Sequence, residues 1–273
     1  MILFALELFF KITNFCKYFF IKLIHVTDTH LIHPGKTLHG LDPEVRFEAC
    51  MEDIILNHSD AECLLITGDL ADKGEASAYE LMAQSLKQYP VPAYLVLGNH
   101  DDREVFGKYF PRIELDENGF VQYEVKTPEG IFLILDTLEK GTDSGVFCEK
   151  RLKWLKKKLE EHEDQTIYLF MHHPPFDLHF PCIDRIGLKD KEGFHQVIQN
   201  HMHSIRHLFF GHAHRPLSGN WQGISFSSLR GTNHQVKLDF NSQVITALDE
   251  PPEYSVVFMT EESVVVHSHS YPL

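Results

Sequence analysis

The sequence predicts an α/β fold in which two sheets lie sandwiched between helices, and three observations support it. From Ile21 onward, apolar strand-like runs alternate with helix-like stretches in a β-α-β-α opening. The middle of the chain adds two runs joined by a turn, and the segment from Trp221 to the end reads as a series of short strands, which suggests two sheets, one of them ending in these C-terminal strands. At 273 residues and 43% hydrophobic, the chain can bury a substantial core.

KLIHV at 22–26 is the first strand, followed by a loop rich in Gly and His over 32–42. PEVRFEACMEDIILNH (43–58) predicts a helix, with Asp42 and Pro43 in the cap and first-turn positions and Val45, Ala49, Ile54 and Leu56 as its apolar face. A second strand ends at Asp69, a turn falls at Lys73 and Gly74, and EASAYELMAQSLKQYP (75–90) predicts a helix that Pro90 stops. A third strand lies in YLVLGNHD (94–101). FVQYEV (120–125) and IFLILDT (131–137) predict an antiparallel pair across TPEG. EKRLKWLKKKLEEH (149–162) predicts a helix with Leu152, Leu155 and Leu159 turned inward and its lysines solvated. IYLFMHH (167–173) and HLFFGHAH (207–214) hold two further strands; between them, Phe176 to Gly193 shows little periodicity, and a loop of that length suggests a lid or binding loop. The tail strands are GISFSSL, HQVKLDF, YSVVFMT and SVVVHSHS, the last a candidate edge for pairing into a homodimer.

A net charge of −14 repels a nucleic-acid backbone and argues against a polymeric nucleic acid as partner. The five cysteines (Cys16, Cys50, Cys63, Cys148 and Cys182) are odd in number, scattered and never arranged as C-x-x-C, which implies reduced thiols and a cytoplasmic setting. Residues 1–20 are apolar and aromatic, but Glu7, Lys11, Asn14 and Lys17 interrupt them, so they fit neither a spanning helix nor a secretory signal. No membrane contact is expected unless this extension is a real anchor lying on the surface; a misassigned start is the other reading. Residues 21–273 are expected to form one domain, because the motif residues from Asp28 to His214 must converge.

Five apolar runs end in residues that bind metals well: HVTDTH, LLITGD, YLVLGNHD, IYLFMHH and HLFFGHAH. Side chains just past the carboxyl ends of strands gather in one crevice of an open α/β sheet. Alternate residues on extended backbone point the same way, so Asp28 and His30, like His212 and His214, should act in pairs. With Asp69, Asn99 and His172 these give seven oxygen and imidazole donors, which suits two ions sharing one carboxylate. Such donors without thiolate favour Mn, Fe, Co, Ni or Zn. Two ions about 3.5–4 Å apart can activate a bridging water and neutralise the attacking and leaving oxygens of a displacement at phosphorus. His100 is then free to donate a proton or clamp a phosphate, with Asp101 orienting its ring.

In order and spacing, the set DTH, GDL, GNHD, MHHPP and GHAH resembles the calcineurin-like metallophosphoesterase superfamily, and most closely its bacterial class III cyclic-nucleotide phosphodiesterase branch. The resemblance runs from about Lys22 to Asp239. It implies a four-layer α/β/β/α sandwich of two mixed sheets flanked by helices. It also implies two divalent or mixed-valence ions drawn from Fe, Mn, Zn and Co. The first would be held by Asp28, His30, Asp69 and His214, and the second by Asp69, Asn99, His172 and His212. His173 would stand behind these ligands or face substrate. His30, Asn99, His100 and His214 would meet the substrate phosphate, and His100, supported by Asp101, would protonate the leaving alkoxide or steady the phosphate. The implied reaction is hydrolysis of a small phosphodiester, foremost a 3′,5′- or 2′,3′-cyclic nucleotide, to a monophosphate.

GDLADKG and GNHDD depart from the GDxxDRG and GNHE of protein serine/threonine phosphatases, which disfavours that branch. The alternatives are a glycerophosphodiesterase or other small-molecule phosphoesterase, a non-catalytic scaffold, and a nuclease, which the acidic charge opposes. Among the remaining histidines, His33, His39 and His234 should fringe the crevice; His201, His203 and His207 are expected at the surface, and His267 and His269 on a solvent face. Trp221 and Phe226 are expected in the core, Gly231 and Asn233 in a turn, and Arg230 is a weak candidate for phosphate contact.

Overall fold

A computed structural model describes residues 20–273, so the expectations for the N-terminal extension lie outside the described residues, Phe20 apart. β1 (Ile21–Val26), β2 (Cys63–Thr67) and β3 (Ala93–Val96) run parallel, and β12 (Glu253–Met259) and β13 (Val264–Ser270) join them antiparallel in the order β13-β12-β1-β2-β3. The second sheet has the order β4-β5-β6-β7-β9-β8, from β4 (Tyr123–Thr127), β5 (Gly130–Ile134), β6 (Ile167–Met171), β7 (Ile205–Phe210), β8 (Leu217–Trp221) and β9 (Ile224–Ser228). Its central strands β5, β6, β7 and β9 are parallel, while β4 and β8 are antiparallel edges. A small ribbon pairs β10 (Gln235–Val236) with β11 (Ala247–Leu248).

Side chains that alternate along each strand separate three apolar layers. Leu23, Leu65 and Val96 from one sheet meet Phe132, Phe170 and Phe209 from the other. On the outer face of the first sheet, Ile24, Val26, Leu64 and Ile66 pack with buried residues of α1 (Pro43–Asn57), α2 (Ala76–Gln88) and α3 (Arg103–Tyr109). On the far side, Leu133, Leu169 and Leu208 pack with α4 (Glu149–Glu161) and α6 (Lys191–Ile198). The result is the expected four-layer α/β/β/α sandwich. Among the described residues, no helix is long and apolar enough to cross a membrane.

Asp42 caps α1 as expected, accepting from the amides of Glu44 and Val45. Its buried face is corrected, however: Phe47, Cys50, Met51 and Ile54 are buried at i, i+3, i+4 and i+7, while Val45 and Leu56 are 55% and 80% exposed. On α4, Leu155 and Leu159 are buried, Leu152 is half-buried, and Lys153 pairs with Glu149 in solvent.

The antiparallel pair forms across Pro128 and Glu129, but its first strand starts at Tyr123 rather than Phe120, because the amides of Phe120 and Val121 are taken by the carboxylates of Asp116 and Asp136. HQVKLDF yields a strand of only two residues, and Leu238 and Phe240 are 45% and 61% exposed. Phe176 to Gly193 is not a free lid. Asp184 accepts from the amides of Leu178 and Phe180 within a short helical turn, α5 (Pro181–Asp184), and Phe180, Cys182 and Ile183 pack on Ala213 and Val236. His207 is also corrected, from the surface to a buried position where Nε2 meets Ser227 Oγ at 2.9 Å.

Candidate metal centre

All seven proposed ligands lie just past carboxyl ends of parallel strands: Asp28 and His30 after β1, Asp69 after β2, Asn99 after β3, His172 after β6, and His212 and His214 after β7. Extended alternation does not pair them, contrary to the sequence reading. Asp28, His30, Asp69, His212 and His214 all adopt left-handed backbone (φ 51°, 44°, 49°, 67° and 49°), and they make up five of the eight non-glycine residues with positive φ among those described. That conformation is unfavourable for side chains with a Cβ and tends to cluster at functional sites, where surrounding contacts enforce it. Here the contacts are cross-links between motifs. The Asp28 and His30 amides donate to the carbonyls of Gly68 and Asp69, the His212 amide donates to both Asp28 oxygens at 3.1 Å, and the His100 amide donates to Asp69 Oδ1 at 3.0 Å.

The donor atoms of Asp28, His30, Asp69 and His214 all lie within 4.8 Å of one another. His30 Nδ1 faces the Asp72 carboxylate at 3.2 Å, and His214 Nδ1 donates to the His234 carbonyl at 2.8 Å, which places a lone pair on each Nε2. Those two Nε2 atoms face each other at 3.1 Å, a repulsive contact for two neutral rings and a good one around a cation. Asp69 Oδ2 lies 3.5 Å from His30 Nε2 on one side and 3.3 Å from His172 Nε2 on the other, so one carboxylate touches both halves of the site.

His172 Nδ1 donates to the Thr67 carbonyl at 2.8 Å, again leaving its Nε2 as an acceptor aimed inward. His172 Nε2, His212 Nε2 and Asn99 Oδ1 are buried atoms without a hydrogen-bond partner. Buried polar atoms are rarely left so; His172 Nε2 faces the Asp69 carboxylate at 3.3 Å, and a second cation would give all three atoms a partner. His173 is not part of this set. Its Nδ1 meets Thr137 Oγ1 at 2.7 Å and its Nε2 donates to the Asp143 carbonyl at 3.2 Å, so both nitrogens are engaged behind the site.

Burial pushes the Asp69 carboxyl up, but His172, with His100 and His30, outweighs it and holds the group well below the usual carboxylate range. Burial raises Asp28 against the pull of His214 and His172. Burial would lower His172, yet Asp69 and Asp28 raise it to about 9, so a proton and a cation compete for this nitrogen. For His100, too, Asp69 and Asp72 overcome burial and raise the ring's affinity for a proton.

Asp101 is corrected from the role of orienting His100. Its carboxylate instead accepts from the amides of Leu70, Ala71 and Gly98 and from the Tyr79 hydroxyl, fastening the loop after β2 to the loop after β3. The residue that holds His100 is Asp72, whose carbonyl accepts from Nδ1 at 2.7 Å. Asp72 stands three positions after Asp69 in GDLAD, a spacing in plain view that the sequence reading passed over. His234 moves inward: its ring lies 5.0 Å from His30 and 4.6 Å from both His214 and His39. Arg230 is taken by Glu250 and Glu253 and does not reach the site.

Residues 21–216 match the family description calcineurin-like phosphoesterase. The chain belongs to the calcineurin-like phosphoesterase family. The phosphoesterase is 38% identical to a probable cyclic nucleotide phosphodiesterase of Rhodopseudomonas palustris, over 92% of each chain. It is 28% identical to a probable glycerophosphodiester phosphodiesterase of Arcobacter nitrofigilis, over 91% of this chain and 92% of that one. A dimetal phosphatase from Danio rerio shares the fold at a TM-score of 0.63 and 16% identity, covering 92% of this chain and 99% of that chain.

Proposed function

We propose that the phosphoesterase is a dinuclear metal-dependent phosphodiesterase that hydrolyses small phosphodiesters, foremost cyclic nucleotides, to monophosphates. The observation that carries this reading is Asp69 Oδ2, placed between the imidazoles of His30 and His172. Asp28, His30, Asp69 and His214 would hold one ion, and Asp69, Asn99, His172 and His212 the other. When bound, the ions would activate a water and neutralise charge gathering on the phosphate oxygens.

The chain supplies the rest. His100, whose Nδ1 donates to the Asp72 carbonyl, would use its Nε2 to hand a proton to the ester oxygen as the phosphorus–oxygen bond breaks. The left-handed backbone of the ligand loops fixes the donors in advance, so little reorganisation is left for the reaction. Support for a cyclic nucleotide comes from the relative at 38% identity, and the relative at 28% identity supports a glycerophosphodiester as the second reading. The four described cysteines are free, which supports a cytoplasmic setting.

The Mn-loaded protein tested against 3′,5′-cyclic, 2′,3′-cyclic and glycerol phosphodiesters should turn over a cyclic nucleotide. His100→Ala should lose about 100-fold or more in kcat while keeping its metal. Cleavage of glycerophosphodiesters alone would transfer the reading to the second substrate. No diester turnover, or an unimpaired His100→Ala, would defeat it.

A further inference from the structure

Beneath the metal centre, the apolar layer between the sheets ends in a run of buried polar groups that the proposed reaction does not use. His25 is on β1 and is 1% exposed; Thr27 and Thr67, at the ends of β1 and β2, are fully buried. Their atoms form one chain. His25 Nε2 meets Thr67 Oγ1 at 2.8 Å, Thr67 Oγ1 donates to Thr27 Oγ1 at 2.9 Å, and Thr27 Oγ1 donates to Asp28 Oδ2 at 2.9 Å.

The direction of this chain follows from its end. An ionised carboxylate has no proton to give, so Thr27 must donate to it; its oxygen then accepts from Thr67, whose own oxygen accepts from the Nε2–H of His25. The Thr67 carbonyl, a competing acceptor for the Thr27 hydroxyl, is farther away at 3.3 Å. Gly211 closes the chain from the second sheet. A Cβ there would stand 2.1 Å from Thr27 Oγ1 and 3.1 Å from Asp28 Oδ2, so only glycine lets the strands approach with the hydroxyl in place.

We propose that His25, Thr67 and Thr27 are positioning residues for Asp28: a one-way relay of hydrogen-bond donors that gives Oδ2 a bond beyond the His212 amide that both oxygens share, so that Oδ1, 3.3 Å from His214 Nε2, is the oxygen offered to an ion. The inference rests on the dinuclear reading above. Groups that hold a ligand's far side orient it and tune its donor strength, and their loss weakens metal binding by roughly 10–100-fold. A network serving only to satisfy buried polar atoms would affect stability and leave the metal's surroundings unchanged.

The test compares Thr67→Val, which keeps shape and removes the hydroxyl, with Thr67→Ser, which keeps the hydroxyl. Cobalt(II) is titrated into the chelated protein while visible absorption is recorded. Thr67→Val should bind cobalt roughly 10–100-fold more weakly at one of its two sites, with an altered ligand-field spectrum, and Thr67→Ser should restore both. Should Thr67→Val fail to fold, Thr27→Val against Thr27→Ser makes the same comparison. Unchanged affinity and spectrum in the valine variants, or equal damage in serine and valine, would refute the relay while leaving the dinuclear reading intact. Failure of the unaltered protein to take up cobalt would refute both.

Discussion

The rings of His30 and His214 are held from behind, by Asp72 and by the His234 carbonyl, so that two lone pairs meet. Asp72 holds both His30 and His100: its carboxylate faces His30 Nδ1 at 3.2 Å and lies 3.7 Å from His100 Nδ1, and its carbonyl accepts from His100. Asp72→Asn removes the carboxylate's charge and leaves the carbonyl that holds His100 in place. It should lower affinity at the Asp28–His30–His214 site by roughly 10–100-fold, measured by metal titration, while the remaining activity at saturating metal keeps its dependence on His100. At this scale the sequence was legible for the candidate ligands themselves and illegible for the groups that hold them from behind. HVTDTH declares Asp28 and His30 by type and place, but nothing in GDLAD says that Asp72 rather than Asp101 reaches His100, because that choice depends on how two loops cross.

Those loops are the second scale. Gly98 begins the GNHD loop where the backbone passes against Asp69; a Cβ would lie 2.2 Å from Asp69 Oδ1 and 2.5 Å from its amide nitrogen. Gly98→Ala should therefore fold, lose metal at both positions as judged by elemental analysis, and retain about one hundredth of the activity or less, since displacing a reacting group by about 1 Å costs on that order. Strand positions were readable because short, nearly continuous apolar runs between turns, such as IKLIHV, CLLIT and IYLFM, are a local signal. The apolar face of α1 was not. Phe47, Cys50, Met51 and Ile54 compete with Val45, Ala49 and Leu56 for the inward side, and only docking against Ile24 and Tyr254 decides between them. α3, seven residues long, escaped notice for a related reason: after its Asp102 cap it buries only Phe106.

Across the whole molecule, the two sheets meet through a core that contains two histidines. Burial, with His207 nearby, pushes His25 from its ordinary 6.5 to about 3, and burial pushes His207 to about 4. Both values are lowered on folding, so the unfolded chain takes up these protons first. The stability involved is present above about pH 6.5 and is lost as pH falls toward 4 and then 3, by about 1.4 kcal/mol per histidine per pH unit. Denaturant melts between pH 7 and pH 4 should show this decline, and His207→Gln should remove its own share of the slope between about pH 6.5 and 4, leaving that of His25. Ions bound only to the folded state add stability by mass action. Free metal at about 100 times its dissociation constant contributes about 2.7 kcal/mol, so chelation should lower the melting temperature and restored metal should raise it.

By itself the sequence determined the main alternation of strands and helices, the seven candidate donors and the class of chemistry they permit, because each depends on residue type and short-range spacing. Tertiary structure alone decided the left-handed turns that aim those donors, the choice of Asp72 over Asp101 beside His100, and the buried line from His25 to Asp28. Each of these joins atoms from segments far apart in the chain, and the packing of one sheet on the other sets the distances between them.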